Sequence, residues 1–332
     1  MRPRIFIASR SMGRIVQDGI RVLEAEGTIE RSPHERALKK DELRGYLENV
    51  EAAILGADNC DRDVLSNAKS LKIVARHGIG YDNIDLAAAT ANGIIVTYTP
   101  DVNTIAVAEH AMALILSLAR KIPCADASVK ARKWEGLRFV GSELMGKTLG
   151  IIGLGRIGAE TAKRALAFGM KVLYFDKYKE REYGERLGAI SVPLDQLLAE
   201  SDFVSIHTAL TPETKGMIGP KEIALMKKVA CLINTARGPI IDGKALTDAL
   251  MEKRIAGAAL DVFQTEPPAP DDALLSLNNV ILTPHIAAYT VEAIRRMDVM
   301  AAEDVVKALQ GRTPEHIANT EVLSSDRLRL KT

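Results

Sequence analysis

Three short segments combine charged or titratable side chains with apolar runs in a pattern that could support catalysis. Arg237 follows an apolar run and precedes Gly-Pro, so its guanidinium could bind a carboxylate or a carbonyl group. Glu266 precedes two prolines, and His285 follows Thr-Pro after another apolar run. His285 and Glu266 also have simpler interpretations, because a histidine after a strand is often structural and Glu266 could be a solvated loop acid. Their position at predicted strand ends nevertheless favours a ligand-binding role, since ligands of open α/β sheets bind there.

A glycine-rich turn in the same half of the chain predicts a dinucleotide-binding site. Residues 149–152 are apolar and lead into Gly153, Gly155 and Gly158, which have GxGxxG spacing and precede a helical pattern. Gly153 allows the tight turn, Gly155 lets the backbone approach a pyrophosphate, and Gly158 lets the helix pack against the strand. The amino terminus of that helix offers unpaired N–H groups to phosphates.

Asp176 ends the next apolar run and predicts which nucleotide binds. A carboxylate at this strand end can accept hydrogen bonds from the ribose hydroxyls of NAD and would repel the 2′-phosphate of NADP. We therefore expect NAD. Asp176 could instead cap the following helix, and the nearby basic residues Lys177, Lys179 and Arg181 leave some tolerance of NADP open.

Short β-branched runs alternate with helical patterns along the whole chain, which predicts an α/β fold with parallel sheets covered on both faces. The helical patterns include residues 102–120, 157–168, 243–252 and 289–310. The apolar runs that we interpret as strands are residues 5–8, 52–55, 73–75, 94–96, 149–152, 172–175, 203–206, 231–233, 258–262 and 280–282.

Ten strands are too many for one ordinary sheet, so we expect two doubly wound domains. Strands before residue 100 would form one sheet, and those between 149 and 282 a second. If the long helix at 289–310 returns to the first sheet, residues 1–100 and 291–332 form one discontinuous domain. Residues 101–290 would then be inserted into it.

Composition excludes several classes of protein. Of 332 residues, 47% are hydrophobic, which is enough for two cores, and the net charge of +1 gives no strong field for nucleic acid or anionic lipid. The longest apolar stretch is broken by Glu109 and His110, so no membrane span is expected. Cys60, Cys124 and Cys231 lack CxxC spacing, which argues against disulfides or a metal site and favours the cytoplasm.

The motifs together identify a family resemblance. The sequences GLGRIG, NTARG, DVFQTEPP and TPHIA, with RHGIGYDNID nearer the amino terminus, resemble those of D-isomer-specific 2-hydroxyacid dehydrogenases. The resemblance covers nearly the whole chain and is strongest to the catalytic core of D-3-phosphoglycerate dehydrogenases, without their regulatory domains. It implies a Rossmann domain that binds NAD, inserted into a flavodoxin-like substrate domain.

The resemblance also implies catalytic roles. His285 would be the general acid/base, because an imidazole with an ordinary pKa of about 6.5 takes both protonation states near neutrality. Glu266 would orient the ring and favour its protonated form. Arg237 would polarise the substrate carbonyl and hold the substrate carboxylate.

Two further sets of residues are expected to bind ligands. Substrate-binding residues would be Arg76, His77, Ile79 and Gly80, although Arg76 and His77 could instead pair with Asp82 or Asp85. Asp261 would lie on the nicotinamide side of the cofactor. The cofactor-binding residues would be Gly153, Gly155, Arg156, Ile157, Gly158, Asp176, Thr208, Thr214, Thr235, Asp261 and Thr104.

The expected function is an NAD-dependent enzyme that interconverts a small D-2-hydroxy acid and a 2-oxo acid. Candidate substrates are 3-phosphoglycerate, hydroxypyruvate and glyoxylate. The resemblance implies a homodimer whose interface includes residues 130–137. An alternative is an NAD-sensing scaffold of the same fold, as in corepressors. A formate dehydrogenase-like enzyme is disfavoured, because such enzymes lack a glutamate beside the histidine.

Overall fold

The computed structural model describes residues 2–178 and 181–330 of the chain. The chain divides into two compact units. The first comprises Met1–Asn103 and Tyr289–Thr332, and the second comprises Thr104–Ala288. The first unit is therefore discontinuous in sequence, and the second is inserted into it.

Strands and helices alternate throughout the described residues. The strands are β1 (Arg4–Ile7), β2 (Thr28–Arg31), β3 (Ala52–Leu55), β4 (Ile73–Arg76), β5 (Ile95–Thr97), β6 (Thr148–Ile152), β7 (Lys171–Phe175), β8 (Ile190–Ser191), β9 (Phe203–Ile206), β10 (Cys231–Asn234), β11 (Gly257–Leu260) and β12 (Val280–Leu282). The α-helices are α1 (Asp18–Glu26), α2 (Lys40–Leu47), α3 (Arg62–Asn67), α4 (Leu86–Ala91), α5 (Thr104–Arg120), α6 (Ile122–Lys130), α7 (Arg156–Ala167), α8 (Arg181–Leu187), α9 (Leu194–Glu200), α10 (Pro220–Leu225), α11 (Gly243–Met251) and α12 (Val291–Leu309).

The first unit contains a five-stranded parallel sheet with the order β2-β1-β3-β4-β5. This order is that of flavodoxin-like folds. Successive side chains of a strand point to opposite faces, and both faces are apolar. Phe6 and Val74 lie in the core on one face, whereas Ile5 and Ile73 lie in the core on the other. Helix α12 covers the second face, where Val305 is buried.

The second unit contains a seven-stranded parallel sheet with the order β12-β11-β10-β9-β6-β7-β8. Six of these strands have the order of dinucleotide-binding folds, with the reversal of strand order between β6 and β9. Ile152 and Ile206 are buried on one face, and Ile151 and Ile233 on the other. The predicted class of two parallel α/β domains is confirmed.

Strands β2 and β8 have no counterpart among the predicted apolar runs. Both lie at the edge of their sheets. The sequence of β2 is Thr-Ile-Glu-Arg, and both residues of β8 are exposed. An edge strand needs a neighbour on only one side and keeps polar side chains in contact with water. A search for buried apolar runs therefore finds the interior strands and the apolar edge strands β5 and β12, and misses β2 and β8.

Helix α12 begins two residues later than the predicted helix at 289–310 because Thr290 is its amino-terminal cap. The hydroxyl oxygen of Thr290 accepts a hydrogen bond from the N–H of Ala293 at 3.1 Å, as an N-cap threonine does. Within residues 2–178 and 181–330, no helix combines the length and apolar character that a bilayer crossing requires.

Candidate active site

Glu266 and His285 form a hydrogen-bonded pair in the second unit. Nδ1 of His285 lies 2.7 Å from Oε2 of Glu266. The other carboxylate oxygen, Oε1, accepts the N–H of Phe263 at 3.2 Å, which fixes the orientation of the carboxylate. The side chains remain 36% and 32% exposed for histidine and glutamate, respectively. The imidazole is therefore held at one nitrogen and still accessible to a ligand.

The charge of Glu266 is set by its neighbours. Burial by itself would raise the pKa of Glu266, but the hydrogen bond and charge of His285, the N–H of Phe263 and the charge of Arg237 together lower it. The carboxylate is therefore ionised at neutral pH. Arg237 follows β10, and its Nη1 donates to the carbonyl oxygen of Ala236 at 2.8 Å. The structure thus places all three predicted catalytic side chains in one unit, with Arg237 acting electrostatically on Glu266.

The loop that carries His285 is held by Asp261, a fully buried residue that follows β11. Its carboxylate accepts hydrogen bonds from the hydroxyl of Thr283 at 2.5 Å and from the N–H groups of Ile286 and Ala287 at 2.9 and 2.8 Å. His285 itself has φ +55°, in the left-handed region that non-glycine residues seldom adopt. Asp261 thus binds the loop on both sides of the strained histidine.

His110 on α5 completes this arrangement. Its Nε2 lies 3.2 Å from Oγ1 of Thr283 and 3.6 Å from Oδ1 of Asp261. Burial would raise the pKa of Asp261, but His110, the Thr283 hydroxyl and the two backbone N–H groups lower it. Asp261 is consequently ionised. An ionised carboxylate only accepts hydrogen bonds, as this set of donors requires.

The glycine turn is closely packed at two of its three glycines. Gly153 has φ +94°, and a Cβ there would lie 2.8 Å from the backbone nitrogen of Thr208. A Cβ on Gly158 would collide with the carbonyl oxygen of Gly153. A Cβ on Gly155, in contrast, would meet no atom of the described residues within 4 Å. The turn is therefore closed at its first and third glycines and open at the second, where a pyrophosphate would approach.

Comparison with known proteins identifies the family. A sequence profile described as "D-isomer specific 2-hydroxyacid dehydrogenase, NAD binding domain" matches residues 112–287. A glyoxylate reductase from Thermococcus litoralis is 44% identical, over 98% of this chain and 99% of the relative. The chain belongs to the D-isomer-specific 2-hydroxyacid dehydrogenase family. Its second unit contains the NAD-binding domain, and the protein is an NAD-dependent dehydrogenase.

Other relatives differ in length. A D-3-phosphoglycerate dehydrogenase from Methanocaldococcus jannaschii is also 44% identical, over 94% of this chain, but the chain spans only 59% of that protein's length. Among solved structures, the TT0316 protein from Thermus thermophilus superposes with a TM-score of 0.85 at 37% identity, covering 95% of this chain and 99% of that one.

Several groups in the dehydrogenase fit a bound NAD. Gly155 caps α7 without a side-chain hydrogen bond, which leaves the helix amino terminus available to phosphate. The hydroxyls of Thr104 and Thr235 are buried and have no hydrogen-bond partner among the described residues. Buried hydroxyls are normally satisfied, so both fit a role as cofactor ligands. Asp176 follows β7 as predicted, and accepts the N–H groups of Leu154 and Tyr178, each at 2.8 Å.

The remaining expected cofactor contacts have varied surroundings. Thr208 lies against Gly153, whereas the hydroxyl of Thr214 bonds within its own loop to the carbonyl oxygen of Ala209 at 2.7 Å. Arg156 and Ile157 form the first turn of α7. Of the basic residues considered for NADP, Lys179 lies outside the described residues.

Of the expected substrate residues of the first unit, Arg76 is the last residue of β4, and the others follow that strand. His77 is buried and bonds to Asp298 of α12 rather than to Asp82 or Asp85. The N–H groups of Ile79 and Gly80 make no hydrogen bond to any residue that the structure describes. They are thus available to an anionic ligand.

Sequence reasoning missed His110, Thr283 and Asp298. His110 is a polar interruption of an otherwise apolar helical run, and Thr283 lies within the TPHIA motif, so both left a faint signal. Asp298 gave no signal in the sequence, because a single aspartate in a helix is usually exposed.

Gly155→Val tests the open position in the glycine turn. A Cβ at this position meets no atom of the described residues within 4 Å, so the melting temperature should stay within about 2 °C of the wild-type value. NADH binding should weaken by at least about tenfold, because valine occupies the path of the pyrophosphate. Fluorescence titration with NADH measures this. Gly45→Val, at another glycine with open surroundings, should leave NADH binding unchanged. Equal NADH affinity in both variants would contradict the assignment.

Proposed function

We propose that the protein interconverts a D-2-hydroxy acid and the corresponding 2-oxo acid, with His285, Glu266 and Arg237 as the catalytic residues. The observation that carries the proposal is the 2.7 Å hydrogen bond between His285 and an ionised Glu266, under the electrostatic influence of Arg237. A secondary alcohol must lose a hydroxyl proton as it is oxidised, and an accessible imidazole backed by a carboxylate can take it.

We assign the exchanged proton to one atom of the imidazole. Nδ1 of His285 is engaged with Glu266, so the nitrogen that exchanges a proton with substrate is Nε2. Bound NAD supplies the acceptor of the hydride in oxidation, and NADH its donor in reduction. During reduction, Nε2 gives its proton to the oxygen of the 2-oxo group. The ionised Glu266 stabilises the imidazolium before this step. The hydrogen bonds from Thr283, Ile286 and Ala287 to Asp261 keep the loop that carries the ring in place.

Substrate recognition is assigned to cationic and N–H donors. Arg237 would polarise the 2-oxo group and hold the carboxylate, for which its planar fork of donors is suited. In the first unit we assign the N–H groups of Ile79 and Gly80 to binding a substrate carboxylate, since both lack a hydrogen-bond partner among the described residues. Glyoxylate, hydroxypyruvate and 3-phosphoglycerate share the 2-oxo or 2-hydroxy carboxylate that these groups recognise. The relatives named glyoxylate reductase and D-3-phosphoglycerate dehydrogenase support this range.

We also propose that the enzyme is a homodimer that associates through the surface formed by α6 and residues 131–140. Five large apolar side chains are exposed there: Trp134 and Leu137 at 92% each, Val140 at 66%, Val129 at 56% and Ile122 at 52%. A concentration of exposed apolar side chains in one segment indicates an interaction surface. A second copy of the chain is the occupant that the resemblance implies.

Replacement of His285 tests the catalytic assignment. His285→Ala removes the proton-transferring group and should lower kcat for 2-oxo acid reduction by about 10²- to 10⁴-fold, with NADH affinity retained. Turnover of glyoxylate, hydroxypyruvate and 3-phosphohydroxypyruvate is followed through NADH absorbance. His34→Ala, a similarly exposed histidine, should keep wild-type turnover. Undiminished turnover in His285→Ala would refute the role, and wild-type protein without any turnover would favour the scaffold alternative.

The charge of Glu266 should be visible in the pH dependence of reduction. The lowered pKa of Glu266 keeps its carboxylate ionised across the range around neutrality. Glu266→Gln removes this charge but keeps the shape. Because the wild-type carboxylate is ionised throughout this range, kcat for reduction should be lower in the variant by about tenfold or more at every pH. Profiles measured from about pH 5 to about pH 9 check this. A variant whose kcat approaches the wild-type value within this range would contradict the proposed role of Glu266.

Leu137→Glu tests the proposed dimer surface. A charge in a buried apolar contact is costly, so the variant should elute as a monomer in size-exclusion chromatography with light scattering, whereas wild-type protein elutes as a dimer. Leu225→Glu places the same charge on an exposed leucine of α10 and should leave the dimer intact. A wild-type monomer, or a dimer unaffected by Leu137→Glu, would argue against this interface.

A further inference from the structure

A buried carboxylate in the first unit connects three segments that are distant in sequence. Asp298 lies on α12 and is completely buried. Its Oδ1 is 2.7 Å from Nε2 of His77, and its Oδ2 accepts the N–H of Gly13 at 2.9 Å. The side chain of His77 is itself only 3% exposed. Both oxygens of the carboxylate are thus used to hold groups from two separate loops.

The two loops lie at the edge of the sheet where ligands bind. Gly13 belongs to the segment between β1 and α1, and His77 immediately follows β4. Both segments therefore leave the carboxyl ends of parallel strands, which is the ligand-binding edge of an open α/β sheet. Ile79 and Gly80, which we assign to the substrate carboxylate, lie two and three residues beyond His77.

Each of the two loops contains a glycine whose backbone conformation other residues rarely adopt. Gly13 has φ +65° and Gly78 has φ +144°, both outside the conformations usual for other residues. The β4 loop has further backbone hydrogen bonds, from His77 N–H to the carbonyl oxygen of Leu55 at 2.9 Å and from Thr99 N–H to that of Gly78 at 3.0 Å. Asp298 ties this loop to the β1 loop.

A second side chain of α12 acts in a similar way. Nε and Nη2 of Arg296 both donate to the carbonyl oxygen of Val102, at 3.0 and 2.8 Å. Val102 lies just before the end of the first stretch of this unit at Asn103. Side chains of α12 therefore fix several loop segments. Asp298 binds two of them, the loops that follow β1 and β4.

Resting on the proposed function, we propose that Asp298 is a positioning residue for substrate binding. Through His77 and Gly13 it fixes the loops that follow β4 and β1, so that the N–H groups of Ile79 and Gly80 are presented to the substrate carboxylate. His77 acts in this arrangement as the partner of Asp298 and holds the loop, rather than binding substrate through Nε2. Asp298 thereby sets the affinity for the 2-oxo acid without contacting the reacting atoms.

The same helix provides a matched control. Asp304 is also buried, and its carboxylate lies 3.0 Å from Nδ1 of His316 and accepts the N–H of Glu315 at 3.1 Å. This pair has the same chemistry, but it connects α12 to the carboxyl-terminal segment instead of to the loops after β1 and β4. Loss of a buried aspartate–histidine contact on α12 can thus be separated from loss of loop positioning.

Steady-state kinetics with glyoxylate and hydroxypyruvate tests the proposal in Asp298→Asn and Asp304→Asn. In Asp298→Asn we expect KM for the 2-oxo acid to rise about tenfold, the equivalent of about 1.4 kcal/mol, with kcat changed by less than about twofold and NADH affinity unchanged. Asp304→Asn should leave all three quantities near their wild-type values. A fall in kcat at constant KM, or equal effects of the two substitutions, would overturn the proposal.

A second pair of variants changes the same hydrogen bond from the side of His77, so that the test does not depend on the folding of Asp298→Asn. His77→Gln keeps a donor at about the position of Nε2, whereas His77→Leu removes it. We expect KM to rise in His77→Leu and His77→Gln to recover most of that loss. If the glutamine and leucine variants bind substrate equally well, hydrogen bonding to Asp298 does not position the loop.

Hydrogen–deuterium exchange separates this proposal from the proposed function, because it needs neither substrate nor turnover. In Asp298→Asn, amides of residues 9–14 and 76–81 should exchange faster than in wild-type protein, whereas Asp304→Asn should affect residues 312–317 instead. If wild-type protein reduces no 2-oxo acid, the proposed function fails, and the exchange result still decides whether Asp298 holds the loops. Unchanged exchange in both loops would overturn that part.

Discussion

The hydrogen bond between Nδ1 of His285 and Oε2 of Glu266 is the constraint on which the candidate site depends. Its two ends belong to different loops, one following β11 and the other following β12. These strands are neighbours, and their register pairs Leu260 with Leu282. Because paired parallel strands end at the same level, Asp261 and Thr283 leave the sheet side by side. The pairing of β11 with β12 therefore brings the two loops together, independently of the contacts that Glu266 and His285 make.

Register alone does not determine where the imidazole lies, because His285 occupies a strained backbone conformation. A positive φ at a non-glycine residue costs on the order of 1 kcal/mol or more and persists only where surrounding contacts impose it. Asp261 provides those contacts, with hydrogen bonds to Thr283 before His285 and to Ile286 and Ala287 after it. The cost of burying this carboxylate is offset by the donors that surround it. A neutral amide at the same place would present N–H groups to some of these donors and could not satisfy them all.

The sequence carried enough information for the fold class and for most of the site. The ten predicted strands were recognisable because each reads as a continuous apolar run, and all of them except β12 consist mostly of buried residues. The edge strands β2 and β8 lack that signal. Arg237, Glu266 and His285 stand at strand ends within short motifs, so their proximity follows from parallel topology. His110 approaches Asp261 only because α5 packs against the sheet, and His77 meets Asp298 across 221 positions. No local pattern encodes either contact.

Asp261 and Asp298 show that both units solve the same physical problem in the same way. Loops that leave the carboxyl ends of parallel strands carry backbone N–H groups with no strand partner, and each such group must find an acceptor or remain for a ligand. A buried carboxylate can accept from several donors at once. In each unit it binds part of the loop backbone: Ile286 and Ala287 in the second unit, Gly13 in the first. The N–H groups left over, such as those of Ile79 and Gly80, are then held in a fixed position by a scaffold that does not itself compete for them. This division of the backbone donors explains why residues as costly to bury as aspartates lie beside the ligand-binding edges of both sheets.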